Sequence, residues 1–267
     1  MRTITTLFLL LQLSILVLGL AGRGSKSSLT LTHGRSHNGK VLHAQESVTI
    51  WCAPDNPQVV IQNAHFIRDS DKSKLEATLN PTKKNATYTF GNPTVRDAGE
   101  YRCEMDTLHG KLTTRVFIYA RPIAHSDDEF KLKGNNEFQL ISDMVLKSGD
   151  TVNLTCPVIG YPTPVVSWKR DGAPLALNKS VSMIGSKVLL SNIDSSAAGV
   201  YSCEALNEYT VNGKTTKSLI TLERKISVKN EYQWILPLVV IAVTLILLLI
   251  IIFACELRKN NSSSSKS

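Results

Sequence analysis

No two of the five cysteines in this 267-residue chain stand closer than 47 residues. The short CxxC-type pairs that gather zinc are therefore missing. Also missing are a glycine-rich phosphate loop, an HExxH helix and any motif that sets a serine, a histidine and a carboxylate together. Their absence removes the usual sequence grounds for nucleotide binding, zinc-assisted hydrolysis and nucleophilic catalysis. The six histidines are scattered, and His33 and His37, four apart, lie in a stretch without helical character. The chain is expected not to be an enzyme and to carry no metal, cofactor or nucleic acid. Charge is absent from Ile235 to Cys255, a run of 21 residues. A helix of that length measures roughly 31 Å, against a hydrocarbon core of about 30 Å. Residues 234–255 are thus expected to cross a membrane once, with Tyr232 and Trp234 at the outer interface and Arg258 and Lys259 at the inner one. The tail that follows, 256–267, has no tyrosine and no recognisable docking motif, so the work is expected to be done outside.

What is present is a repeat. Asp97-Ala98-Gly99-Glu100-Tyr101-Arg102-Cys103 returns as Ala197-Ala198-Gly199-Val200-Tyr201-Ser202-Cys203. Strand side chains alternate between faces, so Tyr101 and Cys103 point into one core, as do Tyr201 and Cys203. A tyrosine two residues before a cysteine that reaches across to a second sheet is the tyrosine-corner signature of an immunoglobulin-like sandwich. Four cysteines divide into Cys52 with Cys103, 51 apart, and Cys156 with Cys203, 47 apart. Closing a loop of about 50 residues is worth on the order of 4 kcal/mol in the chain-entropy model, and such bonds persist in oxidising compartments. Opposite the disulfide a sandwich of this kind offers a tryptophan. Trp168, twelve residues after Cys156, fits; in the first module the position, fourteen after Cys52, holds the smaller Phe66. Asp97 is expected to pair with a basic residue below it, an interaction that Ala197 cannot make. Val48, Ile50 and Cys52 take the core face of their strand, which turns Trp51 outward. There it is either covered by a loop or glycan or free as a contact residue.

The fold class is therefore all-β, two tandem immunoglobulin-like sandwiches plus one transmembrane α-helix. Met1-Arg2, the apolar run Ile4–Leu20 and the small residues at Gly19–Ala21 read as a secretory signal peptide over 1–21, a membrane anchor being the other reading. The first module is expected over 28–120, opening with a strand at Leu29–Thr32. A polar, turn-rich linker follows over 121–136, then the second module over 137–223 and a stalk over 224–233. Residues 22–121 carry 14 Lys and Arg against 9 Asp and Glu, whereas 122–233 carry 12 against 12. Any electrostatic steering thus belongs to the first module. Lys83-Lys84 could meet acidic glycans or an acidic protein face, or could simply keep the surface solvated. Three sequons, at Asn85, Asn153 and Asn178, can accept N-glycans. Cys255, at the inner end of the span, is either S-acylated or a small apolar residue.

These features together resemble the nematode two-immunoglobulin, or zwei-Ig, proteins and, more widely, the basigin, neuroplastin and embigin family. Trp234, Pro237, Ile241, Ile251, Ile252, Phe253, Glu256 and Arg258 are similar to the basigin pattern of a Trp-Pro entry and an Ile-Ile-Phe exit. That family carries a mid-membrane glutamate where this chain has Thr244, and intramembrane charge is costly and usually functional. The zwei-Ig resemblance implies a type I plasma-membrane protein for neuronal adhesion, homophilic or heterophilic, in axon guidance or maintenance of axon position. The basigin resemblance implies instead an accessory subunit of a multipass transporter or pump.

Overall fold

The computed structural model describes residues 21–35, 42–125, 130–229 and 235–263. The expected signal-peptide residues 1–20, His37, Tyr232 and Trp234 lie outside them.

The first sandwich is built from β1 (Gly22–Gly24), β2 (Lys26–Ser28), β3 (Val48–Pro54), β4 (Ile61–Arg68), β5 (Lys74–Glu76), β6 (Thr78–Leu79), β7 (Ala86–Phe90), β8 (Gly99–Thr107) and β9 (Gly110–Ala124). One sheet runs β1-β3-β7-β6; the other runs β9-β8-β4-β5, with β2 parallel to β9. Alternation along β3 buries Val48, Ile50 and Cys52. Cys52 is bonded to Cys103 with 6.5 Å between their Cα atoms, and Phe66 lies fully buried beside them.

The opening of this module differs from the expectation. The chain divides between the two sheets at Ser25, and the expected strand at Leu29–Thr32 is irregular, with Leu29 and Leu31 plugging the core from a loop. Two glycines account for the earlier start. A Cβ on Gly24 would lie 2.5 Å from the Arg115 carbonyl oxygen, and one on Gly22 2.8 Å from the tip of Met105. The backbone approaches so closely there because no side chain intervenes. The module thus begins at residue 22, not 28.

The second sandwich comprises β10 (Lys131–Lys133), β11 (Asn136–Lys147), β12 (Val152–Leu154), β13 (Val158–Tyr161), β14 (Val165–Arg170), β15 (Ala173–Pro174), β16 (Val181–Ile184), β17 (Lys187–Leu190), β18 (Gly199–Val211) and β19 (Lys214–Lys229). Its sheets run β10-β11-β19-β18-β14-β15 and β12-β17-β16. Cys156 is bonded to Cys203 with 6.0 Å between Cα atoms. Asn212 and Gly213, both at positive φ, turn β18 into β19, as a tight hairpin requires.

Two boundaries move. The expected linker does not separate the modules: β9 runs on to Ala124, and Phe130, 1% exposed, belongs to the second core. The turn residues Gly134 and Asn135 serve a hairpin inside the second module, where Gly134 has φ 66°. A polar, turn-rich composition is shared by hinges and by tight hairpins, so it could not tell the two apart. Nor do residues 224–229 form a stalk. They extend β19, bury Ile226 and pair in parallel with β11 as far as Lys147. The reason is the alternation of Ile226 and Val228 with charged and polar neighbours, which continues the strand period beyond Glu223. Finally, α1 (Ile235–Ser263) carries the apolar run and continues into the expected tail.

Candidate functional site

At the two corners the tyrosines do the same thing. The Tyr101 hydroxyl donates to the Asp97 carbonyl at 2.7 Å, and that of Tyr201 to the Ala197 carbonyl at 3.0 Å. Burial pushes the Tyr101 phenol up to about 12, and that of Tyr201 upward by the same cause. Asp97 makes no ion pair among the described residues. Its carboxylate accepts from the Thr94 amide and hydroxyl at 2.7 and 2.8 Å, closing the short 3-10 turn that precedes β8. In the second module Arg170 takes over the corner, donating to the carbonyls of Ser196 and Ala198. Trp168 is buried and its Nε1–H donates to the Ser186 carbonyl at 2.8 Å. Trp51 is half-buried on the outward face, its strand tied to Ser25 by backbone and side-chain bonds of 2.9 Å.

Between the modules the contacts are continuous. β13 belongs to the second module by chain order yet pairs with β9 of the first, Ile159 opposite Ile123 and Val158 opposite Ala124. Ile123 and Ile159 pack into the first core, Ala124 and Val158 into the second. Asn207, 4% exposed, donates through its side-chain amide to the carbonyls of Ala120 and Pro162. Beside it the Tyr119 ring stacks on Tyr209 at 5.1 Å, and on Tyr161 at 6.0 Å. Burial raises the phenol pKa of all three, and lowers that of the Arg121 guanidinium, which lies 3.1 Å from the centre of the Phe138 ring. On the other flank the loop after β2 reaches across. The Ala124 amide donates to the Gly34 carbonyl at 2.6 Å, and His33 meets Glu137 at 3.1 Å.

Both outward faces carry ion pairs, on the second Lys169–Glu204, Lys217–Glu208 and Lys133–Glu223, and they differ in what lies between them. On the first, Arg115 pairs with Glu100, Arg102 with Glu104, and Lys111 with Glu104 and Asp106, so much of its basic excess is answered within the module. Lys83 and Lys84 are exposed and make no ion pair among the described residues. On the second, Val165, Leu206 and Leu219 stand opposite one another across β14, β18 and β19 and are 73, 42 and 46% exposed. Sequence reading missed this row. Counting strand phase outward from the buried Cys203 and Ala205 would have placed Leu206 on the solvent face. Asn207, Tyr119, Tyr161 and Tyr209 were missed as well, and nothing local distinguishes them.

Asn153 and Asn178 are exposed, whereas Asn85 is half-buried. Cys255 is exposed on α1 and is the free cysteine of the described residues. His33 is exposed and sits against Glu137, while His37 is not described. Among the described residues no group of three metal-binding side chains comes together.

Residues 26–119 match the family model described as Zwei immunoglobulin domain protein, N-terminal, and residues 137–220 match the immunoglobulin I-set domain. The chain is 57% identical to Zwei Ig domain protein zig-1 of Caenorhabditis elegans over 249 residues, 93% of this chain and 94% of that relative. It is 28% identical to contactin-2 of Rattus norvegicus over 140 residues, 51% of this chain but 12% of that much longer protein. Among solved structures, the titin Ig tandem domains A164-A165 align at 14% identity with a TM-score of 0.43, covering 79% of this chain and 100% of that one.

Proposed function

The chain belongs to the zwei-Ig domain family, and from that premise we propose that it is a type I single-pass protein of the neuronal plasma membrane that mediates cell-cell adhesion or recognition in axon guidance or maintenance of axon position. Its membership of the immunoglobulin superfamily, with zig-1 and contactin-2 among its relatives, is consistent with adhesion at a cell surface. The observation that carries the reading is the pairing of two docked sandwiches with one bare apolar helix. Ile235–Cys255 has a mean hydropathy of 3.5, and none of it is covered by the rest of the chain. Such a helix is stable only against hydrocarbon or another protein. Both matched families are immunoglobulin-domain families, and neither is a family of enzymes.

Partners on this reading are other cell-surface proteins, through the outward sheet faces, with Lys83-Lys84 available to acidic glycans. Asn85, Asn153 and Asn178 would carry N-glycans, and Cys255 is either S-acylated or a small apolar residue of the span. The transporter-subunit alternative rests on the likeness of the span to the basigin pattern, without that family's mid-membrane glutamate. Thr244, the polar group nearest mid-span, spends its hydroxyl on the Ile241 carbonyl of its own helix at 2.8 Å.

The test is expression of the full chain with a tag at Ser267 in non-adherent cells. Surface biotinylation of the protein, protection of the tag on unbroken cells and cell aggregation are expected. Absence of both aggregation and binding of the soluble ectodomain to neurons would remove adhesion from the reading. Loss of a transporter's surface delivery on exchanging Ile235–Cys255 for an unrelated span would move it to the alternative.

A further inference from the structure

We propose that the first sugar of an N-glycan on Asn85 lies against the indole of Trp51, so that the outer face of the β1-β3-β7-β6 sheet is covered by the chain's own carbohydrate. The inference rests on the reading of Asn85 as an occupied sequon.

Strand register puts the two residues together. Trp51 of β3 stands opposite Thr87 of β7, and Cys52 stands opposite Ala86. Cys52 and Ala86 are fully buried, so Trp51, Thr87 and the preceding Asn85 belong to the outer face. Thr87, the hydroxyl residue of the sequon, is thus the direct cross-strand partner of the indole. Asn85, the attachment residue, is its diagonal neighbour, a separation of about 7–8 Å in antiparallel pairs. An N-acetylglucosamine ring linked to the Asn85 Nδ2 spans that gap.

The surroundings suit a sugar. Level with Trp51 across the sheet lie Ser25, Thr87 and Thr78, and to one side lie Thr49 and Thr89. The Thr49 and Thr89 hydroxyls meet at 2.8 Å, and that of Thr87 donates to the Thr78 carbonyl at 3.3 Å. These side chains are too short to cover an indole. Among the described residues no aromatic ring or cation stacks on it. An aromatic face bordered by hydroxyls takes the C–H face of a pyranose on the ring and its polar rim on the neighbours.

The attachment point is also fixed. The Asn80 Oδ1 accepts from the Lys84 and Asn85 amides at 2.8 and 3.1 Å, and the Asn80 amide donates to the Asn85 carbonyl at 2.9 Å. The Asn85 Oδ1 is buried without a hydrogen-bond partner among the described residues. That turns Nδ2, the atom that takes the sugar, toward the outer face. Glycans are added before the chain folds, so the half-burial of Asn85 does not hinder transfer. It sets the direction in which the sugar starts, and a ligand held in place in this way loses little freedom on settling against the ring.

The experiment uses the full chain, purified from cells in detergent with its glycans. Mass spectrometry first reads Asn85; an unmodified asparagine would take down the sequon reading and, with it, this inference. Hydroxyl-radical oxidation is then followed at Trp51 and at the buried Trp168 with the glycans intact, trimmed enzymatically to one N-acetylglucosamine, or removed. Trp51 should be protected in the first two states and oxidised roughly threefold faster in the third, as expected for a large ring returned to water, while Trp168 stays constant. Asn85→Gln should reproduce removal, whereas Asn153→Gln and Asn178→Gln should not. Trp51→Thr and Asn85→Gln should each lower the denaturation midpoint, and together lower it no further than the larger of the two alone. A Trp51 oxidation rate indifferent to the Asn85 glycan, or fully additive losses of midpoint, would overturn the proposal. So would protection seen only on whole cells and kept in Asn85→Gln, which would assign the face to a protein partner.

Discussion

The side-chain amide of Asn207 in the second module donates to the carbonyl of Ala120 in the first at 2.8 Å, from a position that water barely reaches. A second bond from the same nitrogen reaches the Pro162 carbonyl at 3.1 Å. One polar side chain therefore satisfies two backbone acceptors that the docking of the modules has taken from water, and an unanswered buried acceptor is costly.

Asn207→Leu should loosen the junction. The buried Ala120 carbonyl loses its donor, at a cost of about 1–3 kcal/mol, and the half-buried Pro162 carbonyl loses its own for less. Calorimetry of the ectodomain should show its unfolding transition move down and separate into two, one for each module. A single unshifted transition would mean that Asn207 does not couple them.

Gly34→Ala acts on the other flank. A Cβ at Gly34 would fall 2.1 Å from the Glu137 carbonyl oxygen and 2.9 Å from the Phe138 ring, so backbone has to move. The expected result is a broader distribution of inter-module distances by small-angle scattering, with the disulfides and cores of both modules intact. An unchanged scattering profile counts against the clamp.

Exchange of either core aromatic should destabilise its module, for opposite reasons. Phe66→Trp forces a larger ring into a site with no exposed surface, costing about 1–3 kcal/mol by overpacking. Trp168→Phe removes the donor to the Ser186 carbonyl and leaves a cavity. Both variants should lower the denaturation midpoint, and the first should do so although it restores the residue usual at that place in the fold.

High pH should weaken the first module. Burial raises the folded-state pKa of Tyr101 to about 12 from 10.0, so the stability linked to its neutral form is intact below pH 10 and is lost as pH rises toward 12. The effect is on the order of 2 kcal/mol. Denaturant titrations at pH 9 and pH 11.5 measure it. Tyr101→Phe should lower stability at pH 9, because the bond to the Asp97 carbonyl is gone, and flatten the dependence, so that its deficit against wild type closes by pH 11.5.

Glycan occupancy is read as gel mobility. Deglycosylation should collapse the chain to one band, and Thr87→Ala, Thr155→Ala and Ser180→Ala should each remove one step. Ser180 is the better target at the third sequon, since the Asn178 carboxamide already accepts from the Ser180 and Val181 amides. A mobility unaffected by all three would refute the sequon reading.

Local pattern made the cores legible. The Tyr-x-Cys pair repeated at the same strand phase, with Trp168 and Phe66 at matching distances, names which side chains face inward, because alternation along a strand is a property of the backbone. The linker and stalk were misread for a related reason. Composition reports whether a segment is polar, whereas strand pairing depends on whether a neighbour offers an edge. β13 supplies that edge to residues 120–124, and β11 supplies it to residues 224–229.

By itself the chain's order of residues determined two sandwich cores, their cysteine pairing and an apolar run of membrane-spanning length, since each follows from periodicity and hydrophobicity within one segment. Only the tertiary structure decided that the modules share a sheet at their junction, that Asn207 pins it, and that Val165, Leu206 and Leu219 form one exposed row. Those are relations between strands far apart in the chain, set by register and docking, and no local pattern encodes a register between distant partners.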